Sequence, residues 1–138
     1  MTTREQVVEE ARKWLGTPYH AQAAVLGHGV DCVNLVNEIL VGSGALPRME
    51  LPVYRARPDG TLMTRIAEYL DRIPREQADA GDVLVFSHPR MGPSHLALLT
   101  SKTTIIHAYM TNRKVVEHSL NADWSRLVVA AFRAEGVI

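Results

Sequence analysis

The period of the hydrophobic pattern changes at Gly81, and that change limits the fold more than any other feature of the chain. Before it, apolar residues recur at helical spacing. After it, they come in short runs separated by turn-formers. Val7, Val8, Ala11, Trp14 and Leu15 predict a first helix to about Leu15. A Thr2/Glu5 capping box would open it and Gly16-Thr17-Pro18 would stop it. Leu35, Val36, Ile39 and Leu40, counted from Cys32, predict a second helix that ends at Gly42-Ser43-Gly44. Leu62, Met63, Ile66, Tyr69 and Leu70 predict a third, capped by Asp59 or Thr61 and closed by Ile73-Pro74. Five strands are expected after Gly81, over 83–86, 95–99, 103–109, 114–118 and 127–133. Residues 19–30 read as a loop, and 46–60, with Pro47, Pro52, Pro58 and Gly60, as an irregular crossing. Helices first and strands after predict an α+β domain, its helices packed on one face of an antiparallel sheet.

At 138 residues the chain is expected to form one domain, 1–138, around one core. Fifteen basic and fifteen acidic residues cancel, so no attraction to nucleic acid or to an anionic membrane is expected. No apolar run is long enough to span a bilayer. The N-terminus, Met1-Thr2-Thr3-Arg4-Glu5-Gln6, is polar and lacks the apolar core of a signal peptide. The expectation is a chain that is cytoplasmic as synthesised. A single cysteine excludes an internal disulfide.

That cysteine, Cys32, follows Asp31, an N-cap residue by type, and should sit in the first turn of the second helix. Backbone N–H groups and the positive end of the helix dipole favour a thiolate there. A lone buried cysteine is otherwise a small hydrophobe. His95 opens one expected strand and His107 lies inside the next, in Ile105-Ile106-His107-Ala108-Tyr109. If those strands pair antiparallel, the two imidazoles lie side by side on one face. One would serve as base to Cys32, and the other would orient it through its second nitrogen. Cys32, His95 and His107 could instead bind zinc, but no closely spaced ligand pair occurs, and neither metal nor cofactor is expected. Tyr19 could donate a hydrogen bond into a cleft. His20 and His28 are expected to be exposed, and His88 and His118 show no role. Trp14, Trp124, Phe86 and Phe132 read as core, and Asn34 and Glu38 as solvent-facing.

Taken in order, these segments resemble the NlpC family of papain-like, cell-wall cysteine peptidases. Gly16-Thr17-Pro18-Tyr19 is similar to the family's Gly-x-Pro-Tyr, and Asp31-Cys32 to its Asp-Cys at the start of a central helix. Gly81-Asp82-Val83-Leu84-Val85-Phe86 resembles its Gly-Asp strand opening. Ser94-His95-Leu96-Ala97 and Ile106-His107-Ala108 resemble its two histidine-bearing strands. The resemblance implies a papain-like fold with N-terminal helices on a five- or six-stranded antiparallel sheet. It also implies hydrolysis of amide bonds in peptidoglycan stem peptides. Cys32 would be the nucleophile, His95 the general base and His107 its orienting partner. The N–H of Cys32 would help form the oxyanion hole, with Tyr19 and Asp31 at the cleft.

Val33-Asn34 stand where many relatives carry Ser-Gly, and Gly27-His28-Gly29 only approximates a Gly-Gly before the cysteine. Members of this kind occur among phage and gene-transfer-agent tail proteins, so delivery to the cell wall on a phage-like particle, with tail proteins as partners, is a further expectation. The alternatives are an acyltransferase on the same fold and a catalytically silent tail-assembly module.

Overall fold

The computed structural model describes residues 1–48 and 61–138, so most of the crossing expected over 46–60 lies outside the described residues, as does the cap candidate Asp59. Helix α1 spans Arg4–Arg12. Its capping box sits one residue later than expected. The Thr3 hydroxyl accepts from the N–H of Gln6 (3.1 Å), and the Gln6 side chain accepts from the N–H of Thr3 (2.9 Å). Thr2 is used differently: it is buried, its N–H donates to the Gly136 carbonyl and its hydroxyl donates to the Ser43 carbonyl. The helix also stops early, at Arg12, which leaves Trp14 in the core and Leu15 exposed.

The expected loop before Cys32 contains a hairpin of two short strands, β1 (Ala24–Val25) and β2 (Gly29–Val30). Helix α2 spans Cys32–Gly42, as the spacing predicts. Leu35, Val36, Ile39 and Leu40 are at most 1% exposed. Each such burial favours folding by about 2 kcal/mol. Helix α3 is Leu62–Ala67, with Thr61 at its N-cap position.

Six strands follow in one antiparallel sheet: β3 (Asp71–Ile73), β4 (Val83–His88), β5 (Gly92–Ser101), β6 (Thr104–Tyr109), β7 (Lys114–Ser119) and β8 (Val128–Arg133), in the order β3-β8-β4-β5-β6-β7. β3 was not expected, because a three-residue edge strand with two exposed members has no apolar alternation to reveal it. Alternation along the other strands divides the sheet into two faces. Val83, Val85, Leu96, Leu98, Ile106 and Ala108 pack against the helices, and α2 lies across β5 and β6. Leu84, Phe86, Ala97, Leu99 and Ile105 form a second cluster on the opposite face. That face is capped in part by Trp124, on the short helix α4 (Ala122–Ser125).

The opening of β4 is held by charge. Gly81 adopts φ +89°, which side chains other than hydrogen rarely tolerate. Asp82, next to it, is fully buried. Its carboxylate accepts from Nε and Nη2 of Arg133 (3.0 and 2.9 Å) and from the N–H of Asp79 (2.9 Å), and Arg4 lies 3.3 Å away. No helix among the described residues is long and apolar enough to cross a membrane.

Candidate active site

Asp31 ties two segments together at the start of α2. One carboxylate oxygen accepts from the N–H of Asn34 (2.8 Å), as an N-cap does. The other accepts from the N–H of Gln22 (2.8 Å) and from the Asn34 carboxamide (3.2 Å). Gln22 has φ +70°, an uncommon conformation for a residue with a side chain, and this bond holds it there. Asn34 was expected to face solvent. It is half-buried and used in the cap, so its departure from the family pattern has a structural role. Glu38, also half-buried, pairs with Arg48 at 2.6 Å. Cys32, 3% exposed and without a disulfide, is the first residue of α2.

The segment leading to Cys32 is stitched to one end of the sheet. The N–H of Gly16 donates to the Val115 carbonyl, the N–H of Val115 to the Thr17 carbonyl and the N–H of Tyr19 to the Arg113 carbonyl (3.1, 2.9 and 2.8 Å). The N–H of Val30 then donates to the Pro18 carbonyl (3.0 Å). Lys114 pairs with Tyr109 at the end of β6. The N-terminus of α2 is therefore anchored at the end of the sheet where β6 finishes and β5 begins. His107 and His95 lie on those two stretches. Tyr19 is half-buried there, and its phenol is pushed up to about 12 by burial and then by its proximity to Cys32 and Asp31. It stays protonated, a donor at any pH near neutrality.

The two histidines meet. Leu98 pairs with Ile106 and Leu99 with Ile105, and continuing that register makes His95 the diagonal neighbour of His107 on one face. Nε2 of His95 lies 2.6 Å from Nδ1 of His107. The row does not stop there. His107 pairs with Val116, so His118 is its diagonal neighbour on β7. Nε2 of His107 lies 2.8 Å from Nε2 of His118, whose Nδ1 is 2.9 Å from the Ser119 carbonyl. His118, for which the sequence suggested no role, is thus the third member of an imidazole row. Its even spacing from the strand partners of His107 was the available signal, and it required the β6–β7 register.

Aromatic rings enclose the row. Tyr109 stacks on His107 (centroids 5.3 Å, planes 13° apart), and Phe86 lies 5.8 Å from His95. Trp124 is half-buried against all three imidazoles rather than in the core. Burial pushes His95 down to about 4 and, with the charges of His95 and His118 as smaller causes, pushes His107 down to about 2. Both rings are neutral at pH 7, the form that accepts a proton. His20 and His28 are exposed, and exposed His88 accepts from the N–H of Arg90. Among the described residues, no three His, Cys, Asp or Glu side chains are placed to hold a metal ion. Both nitrogens of His107 are engaged by other rings, which leaves it no lone pair for one.

Comparison with known proteins identifies the family and the fold. The model of the NlpC/P60 family matches residues 16–134. No curated protein matches the chain. Among solved structures, a NlpC/P60 family protein from Bacillus cereus is 20% identical with a TM-score of 0.72, over 95% of this chain and 40% of that one. The NlpC/P60 domain of the peptidoglycan hydrolase SagA is 22% identical with a TM-score of 0.70, over 94% and 97%. The peptidoglycan hydrolase RipB from Mycobacterium tuberculosis is 20% identical with a TM-score of 0.62, over 95% and 64%. The chain spans about two fifths of the first of these. The shared fold is the papain-like α+β arrangement of helices on an antiparallel sheet.

Proposed function

The chain belongs to the NlpC/P60 family, and from that premise we propose that it is a cysteine peptidase hydrolysing amide bonds in peptidoglycan stem peptides. Cys32 is the nucleophile and His95 the general base. His107 orients His95. Nε2 of His95 is engaged by His107, so Nδ1 takes the thiol proton. The sulfur then bonds to the substrate carbonyl carbon. Negative charge on the carbonyl oxygen is met by the N–H of Cys32 in the first turn of α2 and by the neutral phenol of Tyr19. His95 passes its proton to the leaving amine as the C–N bond breaks, leaving a thioester. A water attacks the thioester, gives its proton to Nδ1 of His95, and the acid departs as the thiol is restored.

One observation carries this reading: a 2.6 Å imidazole pair stands at the same end of the sheet to which the start of α2 is tied. Two structural relatives that are peptidoglycan hydrolases support the substrate class. Digestion of purified muropeptides, followed by mass spectrometry, tests it. The wild type should shorten stem peptides and Cys32→Ala should not. Unchanged muropeptides with the wild type, or equal products from both, would refute it. Delivery to the wall on a phage-like tail particle is a separate proposal, resting on the sequence resemblance alone. It requires the chain to sediment with such particles.

A further inference from the structure

A hydrogen bond between two ring nitrogens holds one proton, and a neutral imidazole supplies one. These two facts give the histidine row a direction. The Ser119 carbonyl only accepts, so Nδ1 of His118 carries that ring's proton. Nε2 of a neutral His118 is then bare. The proton in the next bond belongs to Nε2 of His107. Nδ1 of His107 is bare in turn, and the proton between it and His95 belongs to Nε2 of His95. Five of the six ring nitrogens are committed, and the sixth is Nδ1 of His95. Its lone pair is the one basic site left in the row.

We propose that His118, held by the Ser119 carbonyl, is a positioning residue that sets the tautomer of His95 through His107. The consequence for turnover rests on the catalytic reading above; the tautomers rest on hydrogen bonding alone. His107 has no exposed surface, so water cannot replace a lost partner at its Nε2. Without an acceptor there, either ring nitrogen of His107 could hold the proton. With the proton on Nδ1, His107 would force Nε2 of His95 to accept. The proton of His95 would then occupy Nδ1, the nitrogen the mechanism needs bare. Trp124, whose centroid lies 5.7 Å from His118 and 4.9 Å from His107, packs the rings in this order.

Histidine-selective ¹⁵N labelling of Cys32→Ala, in which no thiol can donate a proton, reads the tautomers directly. At pH 7.5, His95 and His107 should be Nε2–H and His118 Nδ1–H. A neutral His118 protonated on Nε2, or His95 protonated on Nδ1, would overturn the proposal whether or not the protein cleaves muropeptides. In the Cys32 protein, His118→Leu should lower kcat at least about tenfold, short of the ~10⁴-fold seen when a triad histidine is held in the wrong tautomer. The same substitution should bring an Nδ1–H form of His95 into the spectrum. His118→Gln, whose carboxamide oxygen accepts from His107, should restore most of the turnover and the wild-type tautomer. Equal losses in both variants with an unchanged His95 tautomer would also overturn it. Failure of the catalytic reading looks different: a wild type as inert as Cys32→Ala, with the tautomers as stated.

Discussion

The indole of Trp124 stands edge-on to the imidazole of His107, with centroids 4.9 Å apart and planes at 88°. The same indole lies 5.9 Å from His95, 5.0 Å from Tyr109 and 5.4 Å from Phe86. It is presented by a one-turn helix whose cap is the Asn121 side chain, accepting from the N–H of Trp124. A large apolar surface held over a row of imidazoles excludes water from them. Burial is the leading cause of the low proton affinity of both His95 and His107.

Trp124→Ala should therefore raise the midpoint of His95 from about 4 toward the ordinary 6.5. Histidine NMR titration measures this. An unchanged midpoint would show that the indole is not what keeps the row dry.

Acid should destabilise the fold earlier than carboxylates alone require. Histidines in the unfolded chain titrate near 6.5, whereas folded His95 does so at about 4 and His107 at about 2. Above pH 6.5 both states hold these rings neutral, and their contribution is complete. Below it the unfolded chain takes up protons that the folded chain refuses. Stability then falls by about 1.4 kcal/mol per pH unit for each ring. The loss from His95 is complete near pH 4, and that from His107 continues below it. Urea midpoints at pH 7.5, 6 and 5 should decline in that order, and a flat series contradicts the buried neutral row.

Cys32 should react with iodoacetamide at pH 7 faster than a free thiol, and His95→Ala should slow it. A rate equal to that of a free thiol and indifferent to His95 removes the nucleophile–base pair.

Tyr19→Phe deletes one hydroxyl from a phenol that stays protonated to about 12. If that hydroxyl steadies the developing oxyanion, kcat should fall about 100-fold or more with little change in melting temperature. An unchanged kcat reduces Tyr19 to a packing residue.

Arg133→Ala removes two of the bonds to the buried Asp82 carboxylate. Arg4 remains and Arg133 is partly exposed, so the loss should be about 2 kcal/mol, below the 3–5 of a fully buried pair. Asp82 opens β4 where Val83 pairs with Leu98, while His95 pairs farther along with Phe86. Activity measured well below the melting temperature should therefore be retained. Urea denaturation and muropeptide turnover, taken together, separate the two effects.

How much of this was legible depended on range. Cys32 at a helix start was readable because a cap and an i, i+3, i+4 pattern are local. The five long strands were readable for the same reason. The cap at Thr3 was placed one residue early because Thr2 and Thr3 are chemically alike, and what separates them is the pairing of Thr2 with Gly136 at the far end of the chain. His118 and Trp124 were missed because nothing near either residue in sequence marks it.

The sequence by itself determined the α+β class, the first-turn cysteine and the order of the two histidine strands, since each follows from neighbours a few positions away. Only the tertiary structure decided that three imidazoles form one row and that an indole covers it. Strand register is set by packing and by turn geometry, here a turn through Arg113 at φ +59°. A slip of one residue would turn His118 to the other face and leave His107 buried without its second partner.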